Sequence, residues 1–138
     1  MPDDFDGLQE LIMEDARNIY SETVLDHAMN PRNLGEMPRA DAFGMVTGPC
    51  GDTMEMWLSI KGDVIKDISF MTDGCGTSIA SGSMATELAK GKIIREAFRI
   101  SQQDILKALD GLPQESKHCA LLASDTLKEV IKNYLEIQ

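Results

Sequence analysis

No apolar run in this 138-residue sequence approaches the roughly 20 residues that a membrane-spanning helix requires. Positive charge is also scarce. The chain has 13 lysines and arginines against 23 acids, a formal net charge of −10. That balance repels a phosphate backbone and argues against a nucleic-acid partner; it favours a protein partner with a basic patch. The opening MPDDFDG lacks the basic and apolar regions of a secretory signal and the arginines of a transit peptide. A cytoplasmic, thiol-reducing setting is therefore expected. Cysteine is sparse too. There are three, an odd number, better read as free thiols or ligands than as a disulfide framework.

What is present suits a globular chain, with 43% hydrophobic and 26% charged residues. One domain over residues 1–138 is expected, large enough to bury a core without staples and flexible over residues 1–7. Leu8, Leu11, Ile12, Ile19 and Tyr20 recur at helical spacing, and the pattern continues through Val24 and Leu25 to Asn30-Pro31. After a Gly- and Pro-containing loop, DTMEMWLSI and VIKDISFMT alternate around KGD and predict a β-hairpin with Met54, Met56, Leu58, Ile60, Val64, Ile68 and Phe70 inward. A short strand near Phe43–Thr47 is expected beside it. From Thr77 the spacing turns helical, with Gly91 as its cap. Further helices are predicted from Ser101, from Ser116 and, capped by Ser124, over the final amphipathic stretch of Leu127, Val130, Ile131, Tyr134 and Leu135. The order is that of an α+β fold, a small antiparallel sheet packed with about five to six helices.

Each cysteine lies at an element junction. Cys50 sits in GPCGD; in extended chain, residues two apart face one side, which would pair its sulfur with the Asp52 carboxylate. Cys75 sits in DGCGTS, where a strand gives way to a helix whose unpaired N–H groups would lower the thiol's pKa. Cys119 follows His118 and Lys117 in another expected first turn, and both neighbours would favour thiolate. Taken singly, such cysteines are most often small buried hydrophobes. Spacing alone leaves both readings open, a shared metal or cluster site and separate thiols, since no C-x-x-C pair is present. His27 suits a helix C-terminus and is read as structural. The nine methionines are read as core packing rather than soft-metal ligands.

Four segments, YSETVLDHAMNPRNLG (20–35), GPCGDTM (48–54), DGCGTSIASGSMATELAKGK (73–92) and KHCALLASD (117–125), resemble the IscU/NifU family of iron–sulfur cluster scaffold proteins. The resemblance implies a three-stranded antiparallel sheet surrounded by helices, a fold also described as SufE-like. It implies no enzymatic turnover. The cluster ligands it implies are Cys50, Cys75 and Cys119, with Asp52 and His118 as remaining candidates. Cys119 would accept sulfur as a persulfide from a cysteine desulfurase of the IscS/NifS type. Iron and electrons would come from frataxin- or ferredoxin-like donors, and recipient apo-proteins would take the finished cluster. The likeness stops short of one motif: where bacterial members carry LPPVK, a binding site for an Hsp70-type chaperone, this chain has LPQES. Release through that chaperone therefore does not follow from the resemblance.

A [2Fe–2S] cluster normally takes four thiolates, and this chain offers three. The fourth ligand would be His118, Asp52 or a residue of another molecule, as in a homodimer bridging one cluster. A carboxylate is a harder donor than thiolate, so a site using Asp52 should release its cargo readily. Zinc fits the same donors. Two other readings compete. Cys119 could be a nucleophile activated by His118, which would require a group orienting the imidazole. A permanent structural zinc would instead make the fold depend on metal.

Overall fold

The computed structural model describes residues 11–137 apart from Met13. The flexibility expected for residues 1–7, and Leu8, lie outside the described residues. Residues 11–12 and 14–19 are helical, but the helix does not run on as the apolar spacing predicts. Ser21 becomes extended and caps a new helix, α1 (Glu22–Met29), its hydroxyl accepting from the Val24 N–H at 3.0 Å. A serine here satisfies an otherwise orphaned donor. The same hydroxyl donates to the Leu109 carbonyl, anchoring the break.

Three strands, β1 (Ala42–Thr47), β2 (Thr53–Lys61) and β3 (Val64–Thr72), form an antiparallel meander in chain order. Gly62 and Asp63 both have positive φ, as the tightest hairpin turns require. Met54, Met56 and Leu58 point into the core as the alternation predicts. On β3 the buried residues are Ile65, Ile68 and Phe70, not Val64. A register shift between Ser59 and Ile60 breaks the alternation near the turn and exchanges the faces there.

Helix α2 (Gly76–Ala89) lies on β3 and has few bulky side chains, which permits close packing. A Cβ on Gly82 would stand 2.5 Å from the Phe70 ring. The C-cap is Lys90, and Gly91 follows it at φ +83. The short α3 (Ile94–Ala97) and α4 (Gln102–Ala108) come next, the latter opened by a reciprocal Ser101–Asp104 capping box. After a 3₁₀ turn at Gln114–Ser116, one helix, α5 (Lys117–Ile137), runs unbroken to the end of the described chain. Ser124 therefore does not cap a separate helix. It sits mid-helix, buried, its hydroxyl donating to the Ile100 carbonyl at 3.0 Å. Leu127, Val130 and Ile131 are buried as the pattern predicts, whereas Leu135 is 55% exposed. None of the described helices is long and apolar enough to cross a membrane.

His27 is structural, but not as a charged helix-terminal group. It is buried, with Nδ1 2.7 Å from the Ser83 hydroxyl. That hydroxyl accepts from the Arg32 N–H, leaving its proton for a neutral Nδ1 acceptor. Burial, aided by the Arg32 charge, holds the imidazole below its ordinary pKa. Unfolded chain binds the proton that folded His27 resists, so this contribution is present above the ordinary imidazole pKa of about 6.5 and lost as pH falls through the lowered value. Urea midpoints measured at about pH 7.5 and about pH 5.5 should fall on acidification, and His27→Gln should flatten that difference.

Candidate functional site

The five sequence-predicted residues lie at one end of the sheet, where three connections meet. GPCGD is the loop joining β1 to β2. It closes on itself through Gly48 N–H to Asp52 O at 2.8 Å and Gly51 N–H to Gly48 O at 3.0 Å. Gly51 has φ +93, so the segment is a turn and not extended chain. Cys50 and Asp52 are therefore not set on one side of a strand, as an extended chain would place them. Beside this loop β3 ends, and Cys75 caps the N-terminus of α2. The first turns of α5 complete the cluster: Leu122 lies against Gly48, within 3.6 Å of where a Cβ would stand. The end is fastened by Thr53 N–H to Asp73 Oδ1 and Thr72 Oγ1 to Thr53 O, both at 2.8 Å.

Two hydroxyls join the thiols and the carboxylate. Thr77 Oγ1 lies 3.1 Å from Cys75 Sγ and 3.4 Å from Cys119 Sγ. Ser78 Oγ lies 3.2 Å from Asp52 Oδ2 and 3.4 Å from Cys119 Sγ. Gly74 makes room for this contact, since a Cβ there would fall 2.4 Å from Ser78 Oγ and 2.9 Å from Asp52 Oδ2. Neither Thr77 nor Ser78 is singled out by sequence reasoning. The usable signal is their position, two and three residues past a cysteine N-cap, where first-turn side chains face the same opening as the cap.

The three sulfurs differ in electrostatics. Thr77's hydroxyl holds the exposed Cys75 thiol below its ordinary pKa; burial opposes this, and the N–H groups of Thr77 and Ser78 act with the hydroxyl. The helix terminus thus contributes, but the side-chain donor is the larger cause. Cys119 runs against expectation. It is 2% exposed, and burial pushes its thiol up despite the Ser78 and Thr77 hydroxyls; the charges of Cys75 and Cys50 push it further. Cys119 does lie in the first turn of α5, as expected, but that turn is packed against the core and the sulfur is buried. Cys50 is exposed on its loop and acts on Cys119 through charge.

His118 is half-buried, with Nε2 3.7 Å from Cys119 Sγ. Although neighbours on a helix project about 100° apart, these two groups stand side by side. Among the described residues nothing bonds the other ring nitrogen, so the orienting partner of an activated nucleophile is missing. Also among the described residues, no three His, Cys, Asp or Glu side chains stand close enough to hold one ion. Cys75, Cys119 and Asp52 are engaged with the Thr77 and Ser78 hydroxyls, so chelation by them would require those contacts to be given up.

Known proteins resemble this chain in sequence and in fold. The chain is 47% identical over 117 residues to "Iron-sulfur cluster assembly scaffold protein IscU 1" of Archaeoglobus fulgidus, covering 84% of this chain and 76% of that protein. It is 44% identical over 119 residues to "Iron-sulfur cluster assembly scaffold protein IscU" of Aquifex aeolicus, with the same coverage. The fold matches the N-terminal region of a nitrogen-fixing NifU-like protein from Brucella abortus with a TM-score of 0.69, at 23% identity, covering 87% of this chain and 96% of that one. The model of the NifU-like N terminal domain matches residues 19–138, which include all three sheet strands and every residue of the site. A domain match over residues 19–138, together with relatives at 47% and 44% identity, places this chain in the NifU-like N-terminal domain family.

Proposed function

We infer that this chain is an iron–sulfur cluster assembly scaffold, on which a [2Fe–2S] cluster is built and then passed to recipient apo-proteins. The observation that carries the reading is the convergence of Cys75, Cys119 and Asp52 on two shared hydroxyls, beside the loop that bears Cys50. Soft sulfur donors suit iron and sulfide as cargo, and the single carboxylate is the weak member that lets cargo leave. These groups come from the β1–β2 loop, the start of α2 and the start of α5, which supports reading the chain as a single scaffold domain. The buried core, from Val24 to Ile131, is built of apolar side chains; retention of the fold after chelation, read by circular dichroism, is expected of a scaffold and would separate it from a permanent structural zinc. Zinc can occupy the same donors as a stand-in.

In the proposed sequence a cysteine desulfurase delivers sulfur to Cys119. The Cys119 thiolate attacks the outer sulfur of the donor's persulfide; a new S–S bond forms at Cys119 and the donor's thiolate leaves. Two electrons from a ferredoxin-like protein then release that sulfur as sulfide and regenerate the Cys119 thiolate. Iron supplied by a frataxin-like or other donor is gathered by Cys50, Asp52, Cys75 and His118. The net charge of −10 favours partners with basic docking faces.

Anaerobic reconstitution with iron, cysteine and a desulfurase, followed by visible absorption and Mössbauer spectroscopy, tests the reading. Spectra of a [2Fe–2S] centre that decay on addition of an apo-ferredoxin are expected. Asp52→Ala should retain the cluster longer in air than the unaltered chain. Failure to form any cluster, or a cluster that never transfers, would count against a scaffold.

A further inference from the structure

We propose that Thr77 and Ser78 are positioning residues that hold Cys119 away from the first metal ion bound at this site, reserving its thiol for sulfur. The inference rests on the scaffold reading and adds an order in which the ligands engage.

A hydroxyl has one proton to donate and lone pairs with which to accept. Ser78 has one proton, for which Asp52 Oδ2 and Cys119 Sγ compete, while Thr77 Oγ1 bridges Cys75 Sγ and Cys119 Sγ and can donate to one as it accepts from the other when that thiol is protonated. Cys119 alone is held from both sides, at 3.4 Å from each hydroxyl. Cys75 and Asp52 have one hydroxyl each. Both hydroxyls are buried on the first turn of α2, within a rigid helix, so they cannot follow a moving sulfur.

An arriving ion therefore meets unequal donors. Cys50 and Cys75 are exposed, and Asp52 is half-buried with only Oδ2 engaged by Ser78. Cys119 is 2% exposed, and its sulfur must leave two hydroxyl contacts to reach an ion. Once an ion draws Asp52 or Cys75 outward, the hydroxyl it leaves is committed to Cys119. Occupation of the outer ligands thus strengthens the hold on the inner one. The chemical benefit is direct: a sulfur whose lone pair is given to a metal is a poorer nucleophile toward a persulfide. Keeping Cys119 unligated while metal is present lets both cargoes enter the same site.

Cobalt(II) reports the outcome, because the intensity of its thiolate charge-transfer band grows with the number of cobalt–sulfur bonds. In the unaltered chain loaded with one cobalt, two sulfurs are expected, so Cys75→Ser should halve the band. In Thr77→Val/Ser78→Ala the freed Cys119 should join, raising the band by about half, and adding Cys119→Ser should reverse that gain. Thr77→Ser, which restores the hydroxyl, should return the two-sulfur spectrum in the Ser78 background. Should the double variant fail to fold by circular dichroism, Ser78→Ala alone keeps good helix propensity and should move the band in the same direction. A three-sulfur band in the unaltered chain, or no gain in the variants, overturns the inference while leaving the scaffold reading intact. No cobalt–thiolate band at all in the unaltered chain would defeat both, and is thereby distinguished.

Discussion

Cys119→Ser should abolish transfer of sulfane sulfur from a cysteine desulfurase to this chain, an all-or-none loss. Only a thiolate attacks the donor's outer sulfur; a serine hydroxyl at neutral pH is far too weakly nucleophilic, and an oxygen–sulfur product would not carry sulfide onward. The structure adds a condition. Cys119 is 2% exposed and burial pushes its thiol up, so in the free protein it is a poor nucleophile despite its chemistry. Cys75 is exposed and held below the ordinary thiol value by Thr77. A small alkylating reagent should accordingly modify Cys75 well ahead of Cys119. Sulfur should nevertheless reach Cys119 when the desulfurase docks and draws the first turn of α5 outward. Mass spectrometry of persulfide-labelled peptides checks both points. Persulfide retained on Cys119→Ser would overturn the assigned role.

Gly44→Val should be the most damaging single change far from the thiols. Gly44 lies in β1 directly beneath α5, and a Cβ there would stand 2.6 Å from Val130 N and 2.7 Å from Val130 Cα. Those are backbone atoms in the middle of a 21-residue helix, so no rotamer change relieves the clash. Helix and sheet must separate, loosening the layer that holds Leu127, Val130 and Ile131 against Met54, Met56 and Leu58. Overpacking of this kind costs about 3 kcal/mol, and a domain of this size then loses about 10 °C in Tm. Differential scanning calorimetry reads it. The effect should reach the site as well, because α5 begins at Lys117 and carries both His118 and Cys119. A Gly44→Val protein with unchanged Tm would show that helix and strand are not pressed together here.

Much of this architecture is legible in the chain itself, and the reasons are local. Alternation in DTMEMWLSI marks a strand because successive side chains take opposite faces, and Met54, Met56 and Leu58 are indeed inside. Ser101 and Asp104 announce a helix start because their side chains satisfy backbone donors within four residues. Errors arise where local signals compete. The apolar stripe through residues 11–25 hides the cap at Ser21, and Ser124 resembles a cap although its hydroxyl is committed to Ile100 across the core. Val64 looks inward until the register shift opposite Ile60 turns Ile65 inward instead.

Periodicity in the chain is enough to read an α+β order, and flanking glycines and caps are enough to set the cysteines near the ends of elements, because both are properties of chain neighbours; the NifU-like kinship rests instead on the resemblance of four motif segments. How those thiols differ is set by contacts made across the fold. Thr77 and Ser78 reach Cys119 across 42 and 41 positions, and Cys119 is buried because α5 packs its first turns against α2 and the β1–β2 loop. A cysteine's acidity and reach depend on which atoms surround it in space, and no local pattern records atoms contributed from the other side of the fold.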